Sequence, residues 1–296
     1  MSKSRSTTGG FLALVAAALF GVSGAVAAGV FDSIEPARVA QARSLIAAVL
    51  LIPYAAYRGV LDPRGGIVKF MILGVNLALV NVTFYWAIDR LGVGPGATVQ
   101  FLAPILVLVW LVVVRKHHVG AVAWSAAVAA VAGVGMVTQA WSLQGADVVG
   151  IVAGLAAAVL FASYLLYGEH LAERFPPAQI ATWGFIFASL LWAIVLPLWS
   201  FPTDIDGQAV AGLLFIGVLG TTLPFIIEFA ALSMTSSGVV GIIATAEPPI
   251  GAISAAILLD QHLEPTQWLG VAIVVVAVAT VQRWGLRDTH PATPIA

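Results

Sequence analysis

An all-α integral membrane protein, with ten transmembrane helices in two inverted five-helix repeats, is the fold class this sequence predicts. Three observations carry the prediction: a composition that only a bilayer can host, ten apolar runs of spanning length, and a self-match between the two halves. The 296 residues are 60% hydrophobic and 9% charged, with a mean hydropathy of +1.02, whereas a soluble chain is about one quarter charged. A soluble surface must be tolerable to water, and this chain lacks the polar residues to build one. With no cysteine, disulfides, thiol chemistry and cysteine metal sites are excluded. A net charge of −1 gives nucleic acid no purchase.

A spanning helix needs about 20 predominantly apolar residues. In chain order the runs are 10–31, 37–57, 67–88, 93–114, 119–138, 147–168, 177–199, 209–231, 237–259 and 265–284. Short polar or turn-forming segments close them: "FDSIEP", "RGVLDPRGG", "DRLG", "RKHH", "SLQGAD", "ERFPP", "SFPTDIDG", "SMTSS" and "DQHLEP". None of these is long enough for a soluble domain. The first run follows a basic start and contains Ala25-Val26-Ala27, which imitates a signal-peptide cleavage site. The repeat opposes that reading, since removing the first helix would leave its partner unmatched.

Orientation follows from the basic residues. If the N-terminus is cytoplasmic, Lys3, Arg5, Arg58, Arg64, Lys69, Arg115, Lys116, Arg174, Arg283 and Arg287 lie inside, ten of the 13 Lys and Arg. The outer loops hold acids such as Asp32, Glu35, Asp89, Asp147, Asp204, Asp206, Asp260 and Glu264. That asymmetry is the positive-inside pattern. The expected location is a bacterial inner membrane, with both termini cytoplasmic.

Sliding the chain against itself by 144 residues brings Ala87 to Ala231, Gly94 to Gly238, Pro104 to Pro248, His118 to His262 and Trp124 to Trp268. A shift of 141 sets Phe20 over Phe161 and residues 35–37 over 176–178. The units are 1–141 and 142–296, five helices each. An odd number inverts the second copy, and inverted repeats are a mark of secondary transporters, with the substrate site between the halves. Helices of Ala, Val, Leu and Gly do resemble one another at any offset; the shared offset is what argues for a repeat.

In each half a short turn leads into a helix with a central proline: "FYWAIDRLGVGPGATVQFLAPILVLVW" at 84–110 and "EFAALSMTSSGVVGIIATAEPPIGAISAAILL" at 228–259. These segments resemble the EamA-type branch of the drug/metabolite transporter superfamily, and within it the bacterial exporters of aromatic and other amino acids. The resemblance implies an amino acid as the small-molecule substrate, and a monomer suffices for the mechanism it implies. Many members end the fourth and ninth helices with a Gly-Glu pair; here those positions read Lys116-His117 and Asp260-Gln261. The departure removes any argument for helix-end acids.

Two acids, Glu228 and Glu247, fall inside spans. A carboxylate at the bilayer centre costs about 2.5–3.5 kcal/mol on insertion scales, so it faces protein or water. Pro248 and Pro249 follow Glu247, and Pro104 occupies the matching place in the first half with Ala103 where the acid would be. Prolines kink a helix and free carbonyls, and such backbone is tolerated only against protein or a wet cavity. The segment therefore reads as a kinked wall of a water-accessible path, with Glu247 as cavity or coupling acid. The structural alternative pairs it with Arg43, a basic residue deep in a span that can also snorkel outward.

Asn76, Asn81, Thr83, Tyr85, Gln100, Ser163 and Tyr164 are uncharged polar groups at membrane depth. Asn81 and Tyr85, four apart, share a helix face. Asn81, Tyr85, Gln100, Ser163 and Tyr164 are candidate substrate contacts beside the two acids; interhelical bonding is the equal alternative. Phe84, Trp86, Phe101, Phe161 and Trp183 are candidate apolar lining. Residues 92–96 read as the tight turn between the third and fourth helices, since no Lys-Ser/Thr follows to make a phosphate loop. His117-His118 reads as a basic interfacial loop rather than a metal site, and Gly150 to Gly154 as packing within the chain.

Nothing in the chain resembles an ATP site, a catalytic triad or a zinc-protease motif, and no cofactor or metal is expected. An intramembrane enzyme would need a nucleophile–base pair or a His/Asp cluster at one depth, and all five histidines lie at span ends or in the tail. A channel could share the composition, but it has no need of inverted halves. The sequence favours an exporter of amino acids or of another small metabolite or drug, not an enzyme.

Overall fold

The structure, a computed structural model, describes residues 3–31, 33–91, 93–142, 147–258 and 262–284. Among these residues the fold is entirely helical. The helices are α1 (Lys3–Val30), α2 (Pro36–Tyr57), α3 (Ile67–Leu91), α4 (Val93–Gln100), α5 (Ala103–Val113), α6 (Ala121–Val137), α7 (Val148–Ala172), α8 (Pro177–Val195), α9 (Gly207–Gly217), α10 (Leu223–Leu232), α11 (Ser237–Ala244), α12 (Glu247–Leu258) and α13 (Pro265–Trp284). They form ten spans because α4 and α5 share the fourth, α9 and α10 the eighth, and α11 and α12 the ninth. Nine spans among the described residues exceed membrane-crossing length, and Ala121–Val137 is a shorter apolar tenth.

Local chemistry sets the helix starts. Proline opens α2, α8 and α13, where its missing N–H is no loss. Asp147 caps α7 by accepting from the Val149 and Gly150 amides, and Asp206 caps α9 by accepting from Ala209. One expectation is corrected. Residues 93–96 are the first turn of α4 rather than a loop, because Pro95 and small neighbours suit a helix start. Asp260 and Gln261 lie outside the described residues.

The packing repeats under exchange of the halves. The first span (α1) lies against the eighth (α9, α10) and ninth (α11, α12), and its counterpart α7 lies against the third (α3) and fourth (α4, α5). Likewise α2 meets the eighth span as α8 meets α3, while α2–α8 and α6–α13 are contacts that exchange onto themselves. Glycines let the crossings close. A Cβ on Gly74 would stand 2.7 Å from the Gly184 carbonyl oxygen, and one on Gly270 2.6 Å from that of Gly133. The Gly150/Gly154 pair serves contacts within the chain, to Leu91 and Val99, as small residues do in lipid-embedded bundles.

The bundle is not equally tight at its two faces. Every residue of α11 is buried, whereas in α12 only Pro249 is. At the face bearing the start of α1 and the end of α13, Ser237 Oγ donates to Glu169 Oε2 at 2.7 Å, and Arg115 meets the same oxygen at 3.1 Å. Ser6 and Thr235 lie 3.4 Å apart there, tying α1 to the α10–α11 turn. At this terminal face α11 is enclosed, while α12 packs on α1 and is only partly covered on its other sides.

Candidate functional site

The site starts from two breaks in the backbone. A helix-interior proline costs about 3 kcal/mol or more, while one in a first turn costs little. Both central-proline spans therefore stop and restart. The fourth ends α4 at Gln100 and opens α5 with Pro104 in its first turn. The ninth ends α11 at Ala244 and opens α12 with Glu247, Pro248 and Pro249. The expected kinks fall at two-residue breaks in the helical hydrogen bonding, at 101–102 and 245–246, where the backbone of Leu102 and Thr245 stays in the right-handed helical region. Proline removes the donor four residues on, so the carbonyls of Gln100 and Ala244 lose their usual partners. Both residues line one cavity.

That cavity, of about 130 Å³, lies between the halves and is bordered by α1, α2, α3, α4, α7, α8, α10, α11 and α12. Its polar lining is Arg43, Ser44, Asn81, Gln100, Tyr164, Glu228 and Glu247. Glu228 is 4% exposed and accepts a hydrogen bond of 2.5 Å from the Tyr164 hydroxyl. Glu247, half-buried at the first turn of α12, accepts none from the described residues. It begins a helix, where the backbone dipole favours a negative charge.

Arg43 neither snorkels outward nor forms an ion pair with Glu247. Its Nε donates to Thr221 Oγ1 and an Nη to the Gly220 carbonyl, both at 2.8 Å. The acceptors belong to a π-turn over Val218–Thr222 that joins α9 to α10. Such turns widen a helix and expose carbonyls. Pro224, in the first turn of α10, leaves another carbonyl without its donor. A Cβ on Gly220 would run into Ser23 of α1, so only glycine fits there.

Of the residues expected from sequence, the fold brings Asn81, Gln100, Tyr164, Glu228 and Glu247 together. Two lie elsewhere. Ser163 sits on the outward face of α7 and receives a 3.2 Å hydrogen bond from Asn76, so it joins α3 to α7. Tyr85 is half-buried behind the lining and faces Arg43. Among the aromatics, Phe84 and Phe161 line the cavity, joined by Phe20, Phe185 and Phe225. Phe101 packs edge-on to Phe161, Trp86 is exposed towards lipid, and Trp183 donates to the Leu61 carbonyl. Sequence reasoning missed the π-turn, although "GTTLP" at 220–224 carries the same break signal as the ninth span.

Two inverted halves around a polar cavity at broken helices are the build of a secondary membrane transporter. Known proteins place it more closely. The EamA-like transporter family matches residues 7–139 and again 148–282, and the chain belongs to that family. It is 22% identical over 290 residues to the uncharacterized inner membrane transporter YicL of Salmonella typhimurium, covering 93% of this chain and 96% of that one. It is 27% identical over 214 residues to the threonine/homoserine exporter RhtA of Escherichia coli, covering 70% of this chain and 68% of that one. A solved crystal structure shares the fold with a TM-score of 0.80 at 17% identity, covering 97% of this chain and 99% of the other.

Proposed function

We propose that the chain is a secondary exporter of small neutral amino acids, working by alternating access around the central cavity in a bacterial inner membrane. The observation that carries the reading is the cavity itself. It places one guanidinium and two carboxylates among phenylalanines between inverted halves, a setting with both signs of charge and an apolar wall. The narrowing from aromatic and other neutral amino acids to small ones rests on one relative. RhtA, a relative over two thirds of its length, exports threonine and homoserine.

Because α1 packs on the eighth and ninth spans and α7 on the third and fourth, each moving body draws helices from both five-helix units, 1–141 and 142–296, and a monomer suffices. Glu247, uncompensated at membrane depth, is the candidate coupling acid, with Glu228 its neighbour across the cavity.

Counterflow in proteoliposomes tests the reading. Vesicles are preloaded with unlabelled threonine, homoserine or phenylalanine, and uptake of labelled amino acid is followed with and without a pH gradient. Saturable, trans-stimulated exchange of threonine and homoserine is expected, with gradient dependence lost in Glu247→Gln. Exchange that no amino acid supports sends the substrate to another metabolite or drug. Unsaturable flux without trans-stimulation makes the protein a channel-like facilitator.

A further inference from the structure

The cavity's hydrogen-bonding groups are sharply unequal. Most of its side-chain donors are committed to the protein, with part of the Arg43 guanidinium and the Asn81 and Gln100 amides left over. Ser44 Oγ donates to Ala40 O at 2.8 Å, Asn81 Nδ2 to Leu77 O at 2.7 Å, and Tyr164 to Glu228 at 2.5 Å. Arg43 spends two of its five N–H on Thr221 and Gly220 and faces Tyr85.

The acceptors are uncommitted. Both oxygens of Glu247 and the second oxygen of Glu228 take no hydrogen bond from the described residues, and neither does Asn81 Oδ1. The carbonyls of Gln100 and Ala244 lose their donors to Pro104 and Pro248. Gln100 Oε1 is buried without a partner, and its amide can turn either a donor or an acceptor to the cavity. Two carboxyl groups and one guanidinium share the lining, so acceptors outnumber donors.

A ligand completes such a lining by bringing donors. A primary ammonium has three N–H donors and no acceptor, whereas a carboxylate has acceptors alone. We infer that the primary ammonium is the obligatory recognition element of the substrate, seated between Glu247, Glu228 and the proline-freed carbonyls, and that the carboxylate, left to Arg43 and Gln100, contributes less. The inference rests on the central cavity being the substrate site, and it widens the substrate class from amino acids to small primary amines. The same arithmetic assigns specificity to Pro104 and Pro248 at one remove. Each prevents a backbone N–H from competing with the ligand for a carbonyl.

The test uses the full chain in detergent, with ligand-induced rise in melting temperature as readout, so that binding is read apart from transport. Three probes separate the two ends of the molecule: threonine; threoninol, which keeps the ammonium and lacks the carboxylate; and N-acetylthreonine, which keeps the carboxylate and lacks the ammonium. Threonine and threoninol are expected to bind with similar affinity. N-acetylthreonine should bind about tenfold or more weakly, the worth of one hydrogen bond to a charged group. Glu247→Gln should weaken threoninol by a similar factor while the protein still melts cooperatively.

Binding of threoninol without any amino acid would end the amino acid reading and keep this inference. N-acetylthreonine matching threonine while threoninol is inert would overturn it. So would no response to either amine, or a Glu247→Gln protein that binds threoninol as wild type does.

Discussion

The fourth and ninth spans break at equivalent prolines, yet their first restarted residues live in different worlds. Ala103 is fully buried at the head of α5, and Glu247 faces the cavity at the head of α12. The half-helices cross one another: a Cβ on Gly241 of α11 would lie 3.6 Å from the Pro104 Cα. Geometry is thus duplicated while charge is not. The proline sets the architecture of both halves, and the acid beside it is present in only one.

The strongest way to break this comparison is to equalise it. Ala103→Glu adds the missing acid where no space or water receives it, and should destabilise the protein by about 3–5 kcal/mol, the penalty for an uncompensated buried charge. Loss of monodisperse protein on size exclusion checks it. If Ala103→Glu folds and melts like wild type, the two positions are equivalent after all.

A smaller effect separates the two acids. Tyr164→Phe removes the one hydrogen bond that holds Glu228 and should lower stability by ~1.5 kcal/mol. Glu247→Gln removes no bond within the described residues, so its melting temperature should equal or exceed that of wild type while transport falls. A melting scan of both variants settles which acid belongs to the frame.

Next come the glycines flanking each break. A Cβ on Gly21 of α1 would stand 2.6 Å from the Glu247 carbonyl oxygen, which is backbone, whereas one on Gly154 of α7 would meet the Val99 side chain at 2.8 Å. Gly21→Ala should therefore cost ~1–3 kcal/mol of overpacking, and Gly154→Ala less, since a side chain yields before a backbone does. Equal melting temperatures would show that the ninth span is no more tightly gripped than the fourth.

The smallest effect lies outside the spans. The amides of Gly150 and Val149, with Arg90 beside them, hold the Asp147 carboxyl below its ordinary range. A depressed carboxylate pKa contributes stability that is present above the unfolded value and lost as pH falls through the folded one. The gap in melting temperature between wild type and Asp147→Ala should stay constant from neutral pH to about 4, the ordinary carboxylate value, and close below it.

How much of this was legible in the sequence depends on contrast. Glu247, Glu228, Asn81 and Gln100 stand out because a polar group in an apolar span needs a reason. Ser163 and Tyr164 stand out equally, yet neighbours on a helix point about 100° apart, so only one of the two can face the cavity. The residue types alone do not give the helix its rotation. Phe20, Phe185 and Phe225 were invisible, since one more apolar side chain in an apolar run carries no signal. The repeat was readable in its prolines but not in its contacts, where symmetry lies in which spans touch rather than in which residues recur. That the prolines break the helical hydrogen bonding over two residues follows from carbonyl geometry, which a sequence does not display.

The seal at the terminal face is short. The eight residues of α11 rise about 12 Å at 1.5 Å each, well under half of the ~30 Å hydrocarbon thickness. In the alternating access proposed above, an outward-open state wets the path as far as Glu247 and leaves most of the membrane voltage across that thin plug. The local electric field is then more than twice that of a uniformly insulating bundle. Glu247 stands at its edge, so any charge that crosses α11 traverses nearly the full potential, worth ~2.3 kcal/mol per 100 mV. A helix broken by proline is, in this sense, an electrical device: it decides where in the protein the cell's voltage is felt.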